Sequence, residues 1–171
     1  MEWLSRLMDW MVDWLPTIHM VGPNEGGVRL LLGKYVKATQ PGWYIFWPKI
    51  HRVYTVDVVT QVVDLRCQSL RTCDGKSIAA GGAIQYKVRN ARKALLNVSD
   101  YDKALQTMAL GIIADYVGEH TLDQLQDKMK LKDKIRAGVK EATGDWGLYV
   151  QGVFITDLDI VRSIRLLTNE V

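Results

Sequence analysis

The chain has 171 residues, a hydrophobic share of 48% and a formal charge of +3, which suits one domain with a real core or two small lobes and excludes a disordered chain. Its 22 basic residues are scattered rather than gathered into a stripe with interleaved aromatics, so nucleic acid is not an expected partner. Two cysteines, Cys67 and Cys73, with no CxxC pair and no nearby histidine, offer neither a disulfide framework nor a zinc spacing and predict free, structural thiols in a reducing compartment.

Met1 to Pro16 reads MEWLSRLMDWMVDWLP and predicts an amphipathic helix that the proline closes. On a helical wheel Trp3, Leu4, Leu7, Met8, Trp10, Met11, Trp14 and Leu15 share one side, and Glu2, Ser5, Arg6, Asp9 and Asp13 share the other. Arg6, Asp9 and Asp13 interrupt the apolar run, which excludes a transmembrane span of about 20 apolar residues. Neither a basic n-region nor a small-residue cleavage site marks a signal peptide. Such a helix packs on its own domain, packs on a neighbouring subunit, or lies in a membrane interface. Three tryptophans on one face favour the interface, whereas a polar face with three acids against Arg6 gains nothing from anionic lipid. Partial burial of these side chains supplies about 5–8 kcal/mol, enough for reversible attachment of one copy and firm attachment of an array.

Residues 17–27 read as a Pro- and Gly-rich connector holding a loop histidine, His19. Val28 to Tyr35 (VRLLLGKY) and Gln40 to Pro48 (QPGWYIFWP) predict a first hairpin, two strands about a turn at Pro41-Gly42. Strand alternation puts Trp43 and Trp47 on one face and Tyr44 and Phe46 on the other. Both faces must meet something apolar or interfacial: a buried hairpin, or rings held at headgroup level. Val53 to Arg71 is β-branched and alternating, Thr72 to Gly75 contains the Asp-Gly hairpin signal, and Lys76 to Val88 reads as the returning strand. Gly81-Gly82 marks a bulge or a close backbone approach.

The period then changes from strand to helix. Asn90 to Asn97 predicts a short helix, and Ser99 with Asp102 resembles a capping box for a second helix that Gly118 ends. Its inward stripe is Tyr101, Ala104, Leu105, Met108, Ile112, Ile113, Tyr116 and Val117. A second box at Thr121 and Gln124 opens a helix carrying Leu122, Leu125, Met129, Ile135 and Val139 inward and ending near Gly144. Leu148 to Ile160 predicts a closing strand with a bulge at Gly152. Strands, then helices, then one returning strand imply an α+β fold. No GxSxG, HExxH or Walker-type loop is present, and His19, His51 and His120 lack a paired carboxylate or thiol at local spacing, so neither catalysis nor a cofactor or metal is expected.

Taken in order, the runs GGVRLLLGKY, QPGWYIFWPKIHRV, TCDGKSI, NVSDYDKAL, GEHTLDQL and DWGLYVQGVFITDLDI resemble the stomatin, prohibitin and flotillin family, the SPFH or band-7 domain, from about Val21 to Ile160. The resemblance implies an α+β domain over residues 28–160, with an antiparallel β-rich first lobe and a mixed second lobe. The helix of residues 1–16, the linker of 17–27 and a short tail at 161–171 flank it. It implies a membrane-associated scaffold, peripheral or monotopic on the cytoplasmic face, that self-assembles as a homo-oligomer. Such a scaffold modulates membrane-bound proteases or other membrane proteins without an active site, cofactor or metal of its own. Expected partners are a membrane lipid surface, further copies of the chain, and a membrane protease or an SPFH homologue.

Two departures from the family pattern shape these expectations. A Trp-rich helix stands where the family carries a longer hydrophobic segment, so attachment is expected to be shallow and on one leaflet. The long coiled coil that follows the closing strand in the family has no counterpart before Val171, so ring contacts are expected from the domain itself, with the charged stretch Leu122 to Glu141 as one face. Two alternatives stay open: an inhibitor that docks on host SPFH or protease complexes, and a soluble structural subunit whose Trp-rich helix packs against a neighbour. The expected membrane-interface residues are those of the helix face, Trp3, Leu4, Leu7, Met8, Trp10, Met11, Trp14 and Leu15, together with Trp43 and Trp47.

Overall fold

A computed structural model describes residues 15–161 apart from Pro48, together with Trp3 and Trp10. The fold is α+β, with eight strands and four helices among the described residues. It divides into two compact units, one from residues 1–60, Lys87–Tyr101 and Gly144–Tyr149, the other from Gln61–Tyr86, Asp102–Thr143 and residues 150–171.

In the first unit, β1 (Thr17–Val21), β2 (Glu25–Leu31), β3 (Lys34–Thr39), β4 (Gly42–Phe46) and β5 (His51–Asp57) form two antiparallel sheets. One is the ribbon β1-β4 and the other has the order β3-β2-β5. β2 is central to the second sheet, its Val28 fully buried. A Cβ on the adjacent Gly27 would stand 2.7 Å from the Tyr54 carbonyl oxygen, a spacing that only glycine permits. Helix α1 (Ala91–Asn97) lies against β2 and β5. Asn90 caps it, its side chain accepting from the Lys93 N–H at 3.1 Å, which satisfies one of the first-turn donors.

Three expectations are corrected here. Thr17 to Val21 is a strand rather than connector, because Thr-Ile-His-Met-Val alternates and finds a partner in β4. The hairpin turn lies at Leu32-Gly33, not at Pro41-Gly42. Leu31 pairs with Lys34, and the two residues between them have φ of 49° and 81°, the positive values that a two-residue hairpin turn demands. Gly42, at φ 149°, instead hands the chain from β3 to a different sheet. The single long strand expected over Val53 to Arg71 is two strands broken at Val58-Val59, where the Val58 N–H donates to the Asn24 carbonyl at 2.8 Å.

In the second unit, β6 (Thr60–Arg71), β7 (Ser77–Val88) and β8 (Leu148–Ile160) lie in that order across one sheet. The turn between β6 and β7 falls at the Asp-Gly signal, with Gly75 at φ 80° and the Lys76 N–H donating to the Thr72 hydroxyl at 3.1 Å. The Gly81-Gly82 pair is a close approach: a Cβ on Gly82 would lie 2.3 Å from the Phe154 carbonyl oxygen. Helices α2 (Tyr101–Glu119), α3 (Leu122–Leu125) and α4 (Lys128–Ala142) complete the unit. Its core is made by Ile84, Leu105, Val117, Leu131, Ile135 and Val139, all fully or almost fully buried.

The helices depart from expectation at two starts. α2 begins at Tyr101, one residue later than a Ser99 cap implies, and the Asp102 carboxylate accepts from the hydroxyl of the buried Tyr86 instead of reaching back to the cap. The Thr121 box does form, the Thr121 N–H donating to Gln124 Oε1 at 3.0 Å. The helix it opens nevertheless stops at Leu125, and Asp127 starts another by accepting from the Lys130 N–H. That restart resets the phase of the apolar stripe, so Met129 is 66% exposed and Leu131 takes the buried position.

Candidate functional site

The ribbon β1-β4 carries the feature that folding alone does not explain. Its register sets Ile18 opposite Ile45 and Met20 opposite Trp43. Residues directly opposite across an antiparallel pair share a face with Cβ atoms about 5 Å apart, so the four side chains form one apolar surface. They are 63%, 65%, 57% and 73% exposed respectively. The other face turns inward: Val21 is buried, and His19 meets the Phe46 ring edge-on at 5.7 Å between centroids. The alternation expected for Trp43 and Tyr44 is therefore present, but the Trp43 face is open rather than buried. An open, contiguous patch of large apolar side chains marks a contact surface for a protein or a membrane.

Of the sequence-predicted interface residues, Leu15, Trp43 and Trp47 are all exposed, and Trp3 and Trp10 are helical and exposed. Leu4, Leu7, Met8, Met11 and Trp14 lie outside the described residues, as does the helix they would complete. Sequence reasoning misses Ile18, Met20 and Ile45; the alternation of Ile18 and Met20 is the available signal, hidden in a stretch whose Pro and Gly content reads as connector. It also misses Leu32, which is 76% exposed in the left-handed backbone region. That conformation costs an L-residue roughly 1–2 kcal/mol, and Leu32 has little burial to offset it.

Two of the histidines make local contacts. His51 Nδ1 accepts from the Trp47 N–H at 3.4 Å, and His120 stacks on Tyr116 with centroids 4.0 Å apart. No group of three or more metal-binding side chains occurs among the described residues, and no helix there is long and apolar enough to cross a membrane. Cys67 and Cys73 are exposed, free thiols. The Thr72 hydroxyl, then Lys76, hold the Asp74 carboxyl below its ordinary value. Asp127 is likewise lowered, chiefly by its hydrogen bond with Lys130.

Comparison with known proteins gives a single family. Residues 19–166 match the model of the SPFH domain / Band 7 family. The chain is 28% identical over 164 residues to an uncharacterized protein of Archaeoglobus fulgidus, covering 95% of this chain and 66% of that one. It is 28% identical to a stomatin homolog of Pyrococcus horikoshii, covering 86% of this chain and 56% of the relative. Against stomatin of Mus musculus the identity is 28%, with 86% and 53% covered. The chain thus spans roughly half to two thirds of the length of these relatives.

Proposed function

The chain belongs to the SPFH domain / Band 7 family, whose members are generally membrane-associated scaffolds, and from that premise we propose that it is a peripheral or monotopic membrane scaffold. Its first unit rests the Ile18, Met20, Trp43 and Ile45 face on the bilayer interface. The observation that supports this reading most directly is the cross-strand pairing of four large apolar side chains on an open face. Trp43 and Trp47 suit headgroup depth, where amphipathic rings accumulate. Trp3, Leu4, Leu7, Met8, Trp10, Met11, Trp14 and Leu15, which the sequence predicts to share one helix face, supply a second contact.

Transferring the exposed parts of the four ribbon side chains is worth on the order of 4–7 kcal/mol. That is comparable to a single weak lipid anchor, which holds a protein to a membrane only reversibly. Firm residence then needs many copies, because linked contacts raise avidity without new chemistry. Self-assembly and modulation of a membrane-bound protease belong to the same proposal, and the exposed thiols of Cys67 and Cys73 support a reducing, cytoplasmic side.

Flotation of the full chain with neutral phosphatidylcholine vesicles tests it. The wild type is expected in the lipid fraction, with loss on Trp43→Ser combined with Ile45→Ser. Equal recovery of wild type and variant would remove the ribbon from the membrane reading. Failure of the wild type to float, combined with a large mass by light scattering, would assign the apolar face to subunit contact instead.

A further inference from the structure

The first unit holds a cavity that the scaffold reading leaves unused. It encloses about 540 Å³ and is lined by Arg29, Tyr35, Lys37, Thr39, Gln40 and Tyr44, with Ala38; small-molecule sites run from about 300 to 1,000 Å³. Two of these residues are cations and none is a carboxylate. Arg29 and Lys37 sit directly opposite each other across β2 and β3, an arrangement that is destabilising for like charges. Outside that lining, the Arg92 guanidinium lies 4.2 Å from the centre of the Tyr35 ring. The β2-β3 ladder shifts register between Arg29 and Leu30, and such bulges re-aim side chains beside sites. No ion pair to Arg29 or Lys37 is formed among the described residues.

We propose that this cavity is a binding site for a phosphate monoester, held by Arg29 and Lys37, with the lining residue Tyr35 braced by the stacked Arg92. A dianionic group between the two facing cations turns their repulsion into two charge-assisted contacts. The Gln40 amide and the Tyr35 hydroxyl supply neutral donors for the remaining oxygens. Tyr44 is already engaged, its hydroxyl donating to the Gln40 carbonyl at 2.8 Å, and so forms a fixed wall. The monoester comes either from a lipid headgroup or from a soluble phosphate compound. Only the lipid source rests on the membrane reading: Tyr44 and Trp43 are consecutive on β4 and point to opposite faces. A ribbon lying on the bilayer by its Trp43 face therefore holds the cavity about one sheet layer, roughly 10 Å, away from the acyl boundary, at headgroup level.

The test uses the full chain, the variant Arg29→Gln/Lys37→Gln, each single variant, Arg29→Lys, and a charge-matched control, Lys132→Gln/Lys134→Gln. The first arm titrates glycerol 3-phosphate by calorimetry. The second compares recovery on phosphatidylcholine vesicles with and without phosphatidic acid. Saturable binding of glycerol 3-phosphate by the wild type and the control is expected, weakened roughly tenfold or more in the double variant and partly retained in Arg29→Lys. In phosphate-free buffer the double variant is expected to melt at or above the wild-type temperature, because the facing charges are gone; should it fail to fold, the two single variants give the same comparison. Preference for phosphatidic acid that vanishes with Arg29 and Lys37 assigns the lipid source. Glycerol 3-phosphate binding without that preference assigns the soluble source, even if the membrane reading fails. The proposal is overturned if the wild type binds in neither arm, if the double variant binds as the wild type does, or if the control loses as much.

Discussion

The two units treat large apolar side chains in opposite ways. The second hides them: Ile84, Leu105, Val117, Leu131, Ile135 and Val139 are at or near complete burial, against a handful of outward residues such as Met129 and Phe154. The first has a thinner interior, anchored by Val21, Val28 and Val56, and presents Ile18, Met20, Leu32, Trp43 and Ile45 to the outside. The second unit meets the requirement that a domain bury its own apolar surface, whereas the first leaves a contiguous apolar face open.

That contrast is most severely challenged from inside the second unit. Gly82→Val places a side chain against the Phe154 carbonyl, and Ile135→Ala opens a cavity at a fully buried site; each is expected to cost about 3 kcal/mol or more in urea unfolding. The ribbon face is expected to respond oppositely. Trp43→Ser with Ile45→Ser lowers vesicle partitioning roughly 30-fold, about 2 kcal/mol, while the melting temperature stays within about a degree or two, since exposed apolar groups stabilise little. A fall in Tm as large as that of Ile135→Ala would show that the face is core after all.

A subtler test removes the strained turn. Leu32→Gly keeps the backbone at a conformation glycine adopts freely, so the protein is expected to gain about 1 kcal/mol in thermal melts. A loss of stability would mean that Leu32 is retained for packing. The smallest effect expected is at Asp127. Its hydrogen bond with Lys130 depresses its pKa, so its contribution is present above the ordinary carboxylate range and is lost as pH falls through the lowered value. Asp127→Asn keeps an N-cap but removes the titration, and is expected to flatten the stability profile slightly below about pH 4 with little change at neutral pH.

Local chemistry made much of the fold legible before any coordinates. Asp74-Gly75 located the β6-β7 turn, Asn90 and Thr121 marked helix starts, and the Leu148–Ile160 strand matched to the residue. These are signals whose partners lie within a few residues. The errors came where the deciding contact is distant or the phase is reset. Periodicity shows that Trp43 and Tyr44 point apart, but not that β4 pairs with β1 across the intervening β2-β3 hairpin. Asp127 restarts a helix that the Thr121 box alone would have extended through Met129. The candidate face was half legible for the same reason: Trp43 and Trp47 stand out in any reading, whereas Ile18, Met20 and Ile45 acquire meaning only when two strands are laid side by side. The Arg29-Lys37 pairing, set by register, had no counterpart in sequence at all.

The pairing of β1 with β4 also fixes an order of events during synthesis. Thr17 meets Phe46 and Val21 meets Gly42, so the apolar face does not exist until the ribosome has released the chain beyond Phe46. The β2-β3 hairpin, whose pairs are local, can close first and draw the two ribbon strands together, shortening the loop whose closure entropy opposes them. A nascent chain that has released only its first strand therefore shows Ile18 and Met20 without their cross-strand partners Ile45 and Trp43. By this route the surface is assembled late and complete, which limits the time that an aggregation-prone stretch spends in water unpaired.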